Sequence, residues 1–508
     1  MRLILLILLI AIGSCGWLDI AQARPGGGHS SSSSSSSHSS SGSGFSWGSH
    51  SGSNTSGFSS GSSNSEEITH PMSSLLALVI VIIIVVAIVI VLKNMSRSQT
   101  FVVMPTLENR SRQQLGVAQQ LTLLKQSDAN FSGILFLDFV HSLYSKFYSY
   151  STHPEFSYLS PFLSVDLQQH FQQNAPWQIN EVVINGIKWL EYTKQGTEME
   201  SLSVHIDANY TLHLQGKHTR YAVQERWQFL RQQGVLSAEP EKMQTLCCPH
   251  CGAPAHFTDA GSCEYCGKQV QKGGMQWYLG KRVVLSTTAL SSNELVAYAQ
   301  EQGTQLSTIK QLDLSEQMQR FQELHAYGDW PAFWQSFETE IVRAYFLTIY
   351  QHWSQRNWQA ARHLLSDRLY EANVFWQNLY AEHDWYNRLD NLQIERVVLV
   401  KIETDKYYEA ITVRIFAACN DYTEDAQGKL LGGNKKELRH YSEYWTLVRR
   451  AGIVQHSKPY SLSQCPQCGA PADNMGQTAE CGYCGSKIST GQFSWVLFLI
   501  TQDEVYEG

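Results

Sequence analysis

The sequence of 508 residues predicts an α+β protein that contains two related domains. Three observations lead to this fold class. In each half of the chain, helical patterns precede runs with the two-residue alternation of β-strands. Each half also contains one cluster of four cysteines, and the motif Glu-x-Trp-x-apolar-apolar-Arg precedes each cluster, at 225–231 and 443–449. Helices followed by strands predict an antiparallel sheet with helices packed on one face.

The N-terminal residues predict targeting signals rather than part of the fold. Residues 1–23 have the charged start and apolar core of a signal peptide, and Ala21-Gln22-Ala23 resembles a cleavage site. Two alternatives stay open, namely lipidation at Cys15 or retention of the segment as a membrane helix. Residues 24–70 are rich in serine and glycine. They predict a disordered tether, because such a segment buries too little apolar surface to fold.

Residues 73–93 predict a single transmembrane helix, because Leu75–Leu92 is an uninterrupted apolar run long enough to cross a bilayer. The acidic pair Glu66-Glu67 precedes the run and Lys93 follows it. The positive-inside rule therefore predicts a single-pass protein of the inner (cytoplasmic) membrane with its C-terminal domains in the cytoplasm. Residues 94–130 predict a helical juxtamembrane linker.

The first domain is predicted at residues 131–285. Helical patterns come first, at 131–147 and 165–173. Apolar residues that alternate with polar ones then predict strands at 179–191, 202–214 and 221–231, with a turn at Gly216 between the last two. An apolar run that begins at Trp277 predicts a final strand.

A linker at 286–315 and a second domain at 316–502 are predicted next. Asp329 is expected to cap a helix whose apolar face repeats every four residues, at Phe333, Phe337, Ile341, Tyr345 and Ile349. Later runs predict strands at 392–402, 407–422, 439–450 and 495–500. The second domain thus repeats the order of elements of the first.

The two cysteine clusters predict structural zinc sites. In each, two Cys-x-x-Cys pairs are separated by eleven or twelve residues, and a glycine follows each pair. This spacing is typical of zinc ribbons, expected here at 247–268 and 464–487, each with one Zn²⁺. Disulfides are the alternative, but the predicted cytoplasmic location is reducing. Cys247 adjoins a ligand, and Cys419 is expected in the core. The predicted ligands are Cys248, Cys251, Cys263 and Cys266 in the first ribbon and Cys465, Cys468, Cys481 and Cys484 in the second.

The second domain resembles the Tim44-like domain family, named after the anchor of the import motor at the mitochondrial inner membrane. The resemblance rests on the segments 353–358, 364–367, 389–392, 408–413 and 443–448. Bacterial members are similar at the N-terminus, with a signal peptide, Arg24–His29, a serine-rich tract and one transmembrane helix. The resemblance implies tandem cystatin-like or nuclear-transport-factor-two-like cones with a hydrophobic pocket. The two ribbons depart from the family pattern.

A non-enzymatic, membrane-anchored binding or scaffold protein is the predicted function. Its partner is expected to be a protein, a lipid surface or a hydrophobic ligand, and the resemblance implies a link to membrane transport or translocation. The net charge of -7 argues against nucleic-acid binding. Two alternatives stay open, a dehydratase or isomerase with an acid–base pair in the pocket and a zinc or redox sensor. His205, Asp207 and His213 are expected on the solvated side of their strand. Aromatic residues expected in the core or at the pocket include Trp334, Trp353, Trp376 and Trp385.

Overall fold

The computed structural model describes residues 116–174, 178–196, 198–214, 216–243, 247–254, 256–258, 261–290, 303–325, 329–453, 464–471, 479–503 and 505–508. The predicted signal peptide, tether and transmembrane helix, together with the start of the juxtamembrane linker, lie outside these residues. Within the ranges above, no helix is both long and apolar enough to cross a membrane.

The first half, residues 116–290, places three helices and a 3-10 segment before a four-stranded sheet. Ser132 begins the second helix, since its Oγ accepts a hydrogen bond from Leu135 N. All strands are antiparallel and lie in the order of the sequence. The elements are α1 (Val117–Ser127), α2 (Gly133–Ser149), the 3-10 segment Pro154–Phe162, α3 (Val165–Asn174), β1 (Gln178–Gln195), β2 (Met199–Leu214), β3 (Lys217–Gln232) and β4 (Tyr278–Ala289).

The second half, residues 303–508, repeats this order of elements. Its sheet is antiparallel with the order β5-β6-β8-β9, and the short β7 pairs with β6. The α+β class with antiparallel sheets is therefore confirmed. The elements are α4 (Leu314–His325), α5 (Trp330–Ser336), a π-helical turn (Phe337–Arg343), α6 (Ala344–Ser354), the 3-10 segment Trp358–Leu364, α7 (Asp367–Glu382), β5 (Trp385–Thr404), β6 (Tyr408–Asp425), β7 (Leu430–Gly433), β8 (Arg439–Arg450) and β9 (Val496–Gln502).

The π-helical turn explains the four-residue repeat that the sequence shows in this helix. In a regular α-helix, positions four apart drift by about 40° at each step, which would carry the fifth position about 160° from the first. The wider turn between α5 and α6 compensates part of this drift. All five apolar positions are consequently buried, with exposures of 6% or less, namely Phe333, Phe337, Ile341, Tyr345 and Ile349.

The polar side of β2 is not solvated as the sequence predicted. Leu202, Val204 and Ile206 face the core, as their alternation indicates. On the opposite side, however, Asp207 is 9% exposed and its carboxylate lies 3.3 Å from Nε2 of His205. The prediction of a solvated Asp207 is therefore wrong. Ser203 and Asn209 on the same side of β2 are each 1% exposed, so other parts of the fold cover this side, which the pattern along one strand does not reveal.

The two halves share side chains across their boundary. Val183 of β1 belongs to the core of the second half, whereas Tyr408 and Phe498 belong to the core of the first. Arg220 of β3 donates to Glu382 at the end of α7, at 2.9 Å. The described residues of both halves accordingly lie in one compact unit. In addition, β4 reaches Ala289, four residues into the predicted linker.

Candidate metal centres

The structure brings the eight predicted ligands together as two groups of four thiols, here called the first cluster and the second cluster. In the first cluster, Cys248 Sγ lies 3.9 Å from Cys266 Sγ, and Cys251 Sγ lies 3.9 Å from Cys263 Sγ. The corresponding distances in the second cluster are both 3.8 Å. Four sulfurs arranged tetrahedrally at zinc–sulfur bonds of about 2.3 Å would be about 3.8 Å apart. Both clusters can therefore bind a metal ion.

Identical backbone turns hold the thiols in both clusters. Cys248 N donates to Ala253 O, and Gly252 N donates back to Cys248 O; Cys465 and Gly469 repeat these bonds. The glycine after each cysteine pair has a positive φ, for example 76° at Gly252 and 73° at Gly469. A side chain is strained in this conformation, which explains why glycine stands there. The repeated sequence thus specifies the same local geometry twice.

Within the second cluster, the surroundings of Cys484 favour its ionised form. The Oγ of Ser486 lies 3.1 Å from Cys484 Sγ, and this hydrogen bond lowers the pKa of Cys484 to about 6. Metal ions bind the thiolate rather than the thiol. Cys247 lies outside the group of four thiols in the first cluster. Cys419 is fully buried in the core of the second half, as predicted.

A buried arginine supports the base of the first cluster. Arg231, at the end of the strand that leads into the cluster, bonds Glu200 through Nε at 2.7 Å and Asp128 through Nη1 at 2.7 Å. Its guanidinium also lies 4.3 Å from the ring centre of Trp277, where the chain returns from the cluster to the sheet. Arg231 of the sequence motif and Trp277, which follows the cluster, therefore join the two chain segments at the cluster's base.

The second cluster has the same support. Arg449 Nε bonds Glu409 at 2.6 Å, and the guanidinium lies 4.6 Å from the ring centre of Trp495. His325, at the end of α4, lies 2.6 Å from Glu409. Lys487 of the second cluster also forms an ion pair with Asp367 at the start of α7. No pattern in the sequence indicated this contact. The second cluster is thereby connected to a helix that packs against both halves.

The glutamate of each Glu-x-Trp motif has a role that sequence reasoning missed. Glu225 accepts hydrogen bonds from Tyr148 Oη and, at 2.6 Å, from Trp227 Nε1. Glu443 accepts them from Tyr350 Oη and, at 2.7 Å, from Trp445 Nε1. Both carboxylates are fully buried. The two tyrosines lie on helices that are distant in sequence from the motifs, Tyr148 on α2 and Tyr350 on α6. The motif alone therefore did not reveal these contacts.

Each cluster presents one exposed tyrosine between its last two cysteines. Tyr265 is 61% exposed in the first cluster and Tyr483 is 64% exposed in the second. Most other large aromatic side chains of the described ranges are core residues. In the first cluster, the ring of His256 lies 5.9 Å from that of Tyr265 and 5.6 Å from that of Tyr158. Among the residues that the structure describes, the strongly exposed aromatic side chains thus lie in the clusters.

Aromatic side chains fill the space between the sheet and the helices in the second half. Trp353 contacts Trp358 and Tyr380, with ring centres 5.7 and 6.1 Å apart, and Phe346 contacts Trp445 at 5.2 Å. All five are at most 5% exposed. Trp376 is also buried, whereas Trp334 and Trp385 are half-buried against the core.

A cleft of about 240 Å³ lies on the first sheet rather than among these aromatic residues. It is on the side facing away from the helices, and three of its four lining residues have polar side chains: Arg226, Gln228 and Lys281, beside Val283. It therefore differs from the hydrophobic pocket that the family resemblance implied. His213 lies on the same side of the sheet, beside His218.

Two antiparallel sheets, each covered by helices and each carrying a four-thiol knuckle before its last strand, define an α+β protein with two metal-binding motifs. Residues 333–466 match the model of the Tim44-like domain, which confirms the resemblance of the second half to that family. The match ends at the start of the second cluster.

Among solved structures, an Ntf2-like protein involved in plasmid conjugation is similar to this chain. The two are 8% identical, and the comparison covers 63% of this chain and 91% of the other, with a TM-score of 0.18. A similarity at this level carries no argument about function. No curated protein matches the chain significantly.

Proposed function

We propose that this chain is a non-enzymatic, membrane-anchored scaffold protein that holds a protein partner through two zinc ribbons. The observation that carries the proposal is the repeated exposure of Tyr265 and Tyr483 at the same position of both clusters. Tyrosine offers a rigid apolar ring and a hydroxyl group, and it is enriched where binding energy is concentrated. Two copies of the same exposed side chain favour a contact surface over an isolated solvent-facing residue.

Structural zinc is the metal proposed for both clusters. Sulfur–sulfur distances of 3.8 to 3.9 Å suit a tetrahedral zinc site. Four protein ligands leave no open coordination position for a reacting water molecule. The zinc ions would therefore hold the knuckles in shape and would not take part in catalysis.

The proposed fold is supported by the structure, and the proposed location is supported by the sequence. The repeated order of elements supports two tandem cystatin-like or nuclear-transport-factor-two-like cones. The apolar run at 75–92 and the charges around it support an anchor in the cytoplasmic membrane, with both ribbons in the cytoplasm. The Tim44-like match supports a role linked to membrane transport or translocation.

A protein partner is favoured over catalysis or a small hydrophobic ligand. Aromatic side chains occupy the space next to the second sheet where such a ligand would be expected. The glutamates of the two Glu-x-Trp motifs, Glu225 and Glu443, are fully buried and bonded to tyrosine and tryptophan. A substrate would have to displace these partners to reach either carboxylate, so both glutamates fit a structural role.

The tyrosines provide the test of this proposal. In the double variant Tyr265→Asp/Tyr483→Asp, recovery of the partner after crosslinking in native membranes should fall by at least about tenfold, because each lost aromatic anchor typically costs about 2 kcal/mol. Leu236→Asp is the matched control, since Leu236 is 51% exposed but lies outside both clusters. Zinc content and melting temperature should stay near wild type. Equal recovery from the double variant and the control would reject the tyrosines as the contact.

A zinc or redox sensor is the second candidate function. The observation that favours it is the exposure of Cys251, Cys468 and Cys484. Exposed thiolates are open to oxidants, and oxidation would release the metal. Stoichiometric zinc release by micromolar peroxide within minutes would favour the sensor, whereas retention of zinc under these conditions would favour the scaffold.

A further inference from the structure

The last strands of the two sheets differ, although they occupy the same place in the strand order. In the second half, Val496–Phe498 is buried, and the carbonyl of Phe498 accepts hydrogen bonds from Ser366 Oγ and Arg368 Nη2. In the first half, only the start of β4 is covered in this way, since Leu279 O accepts from Ser164 N. In the second half, residues at the start of α7 thus cover the beginning of the last strand.

The remainder of β4 is an exposed apolar edge. Val283, Val284 and Leu285 are 38%, 43% and 52% exposed. From Gly280 to Ala289 the strand pairs with β3 on one side, and no described residue forms a backbone hydrogen bond to its other side. Ten residues at about 3.3 Å each make an edge about 33 Å long. An exposed apolar edge of this length is a template for another strand.

The register identifies which backbone groups point away from the sheet. Leu290 N donates to Arg220 O, so Leu290 bonds inward to β3. Residues in an antiparallel ladder alternate between bonding inward and pointing outward. Leu290, Thr288 and Ser286 therefore bond inward, and the N–H group of Thr287 points outward. Leu285 is the extra residue of a bulge, so the alternation resumes at Val284, whose N–H group also points outward. These groups are available to an incoming strand.

The cleft beside this edge carries positive charge. Lys281 is exposed, and Arg226 across the cleft is 46% exposed at its side chain with a long ion pair of 3.4 Å to Glu191. The strand itself, Tyr278–Ala289, contains no aspartate or glutamate. A second copy of β4 would therefore bring no acid to this cleft. Its own bulges would also hinder regular pairing, since bulges on an edge oppose strand-to-strand association of identical sheets.

We propose that the free edge of β4 binds an extended segment of a partner protein, which joins the first sheet as a fifth strand. Its backbone would pair with the outward groups of Val284 and Thr287, and an acidic side chain would lie against Lys281 with Arg226 across the cleft. Main-chain hydrogen bonds supply affinity in this mode of recognition, and side chains beside the strand supply specificity. The contact is separate from the tyrosines of the clusters and does not depend on metal.

Fluorescence anisotropy with the full chain in lipid nanodiscs tests this contact. The probe is a labelled nonapeptide of alternating threonine and valine with glutamate at its centre, and the comparison peptide has lysine there. We expect the glutamate peptide to bind about tenfold more tightly, which corresponds to the difference between an attractive and a repulsive exposed ion pair. In Lys281→Glu the preference should invert. Equal binding of the two peptides to the wild-type chain would overturn the proposal.

A proline variant tests the backbone contact itself. Thr287→Pro removes an outward N–H without removing a bond to β3, and it should weaken the glutamate peptide by about fivefold or more. Thr287→Val is the matched control, since it keeps the N–H and should bind as wild type does. Unchanged binding by the proline variant would contradict the proposal. If the melting temperature of Thr287→Pro is well below that of the wild type, the inverted peptide preference expected for Lys281→Glu serves as the test instead. Sedimentation that shows self-association through β4 would make a second copy the occupant and overturn the proposal as well.

Discussion

Replacing Arg231 with methionine is the most direct perturbation of the first cluster's support. The guanidinium is 1% exposed, and its partners Asp128 and Glu200 are 1% and 3% exposed. Nη1 also donates to Ser237 Oγ at 3.1 Å. Methionine preserves most of the apolar contact with Trp277 but removes the charge. Two buried carboxylates are then left without the cation that they share.

The expected loss follows from this arrangement. Removing one partner of a buried ion pair typically costs about 3 to 5 kcal/mol, because the remaining charge stays buried without compensation. Loss of the stacked cation over Trp277 adds up to about 2 kcal/mol, but the methionine side chain recovers part of this by packing. We therefore expect Arg231→Met to lower the free energy of unfolding by about 4 kcal/mol.

Urea denaturation followed by tryptophan fluorescence measures this loss. Arg226→Met is the matched control, since Arg226 is 46% exposed and its 3.4 Å pair with Glu191 should contribute at most about 1 kcal/mol. Adding Asp128→Asn and Glu200→Gln to the Arg231 variant should restore part of the stability, because the uncompensated charges disappear. A loss below about 1 kcal/mol for Arg231→Met would refute the buried ion network as a main support of the cluster base.

Two further predictions concern the metal and the pH dependence of stability. Metal analysis of the purified chain should find two zinc ions per chain, and Cys468→Ser should leave one; an unchanged count would contradict the ligand assignment. Burial raises the pKa of Asp138, a half-buried residue of α2, from 3.8 to about 7. The folded chain then keeps this proton up to about pH 7, whereas the unfolded chain loses it near pH 4, so the contribution to stability is complete at low pH and declines as the pH rises to 7. Asp138→Asn should therefore stabilise the chain more at pH 8 than at pH 4, as thermal melts at both pH values would show, and an equal effect would argue against the raised pKa.

The family resemblance and the cysteine clusters were predictable from sequence for the same reason. Both are local patterns. The spacing of Cys465 and Cys468 and the glycine after them specify a turn within a few residues of chain, and the structure confirms that the four thiols of this segment meet. Strands were also predictable, because apolar and polar residues alternate in β6 at Ile411, Thr412 and Val413, although β6 is buried on both sides along most of its length. Only β7, with the sequence Leu-Leu-Gly-Gly, was too short to show a pattern.

Contacts between distant segments were not predictable in this way. Tyr148 and Glu225 are 77 positions apart, and nothing near either residue indicates that they form a hydrogen bond. The burial of Asp207 likewise depends on neighbouring strands, so alternation along β2 placed it on the correct side but gave the wrong environment.

The amino-acid sequence by itself determined the class of fold, the repetition of its elements and the two sets of four thiols, since short-range spacing and periodicity encode all three. Tertiary structure decided which surfaces stay open. The beginning of β9, up to Phe498, is covered by Ser366 and Arg368 at the start of α7 and the next residues are half-buried, whereas most of β4 is exposed, although both strands have the same place in their sheets. That difference depends on where a helix elsewhere in the chain packs. The position of that helix is set by the free energy of packing whole elements together, and no sequence pattern within β4 or β9 predicts it.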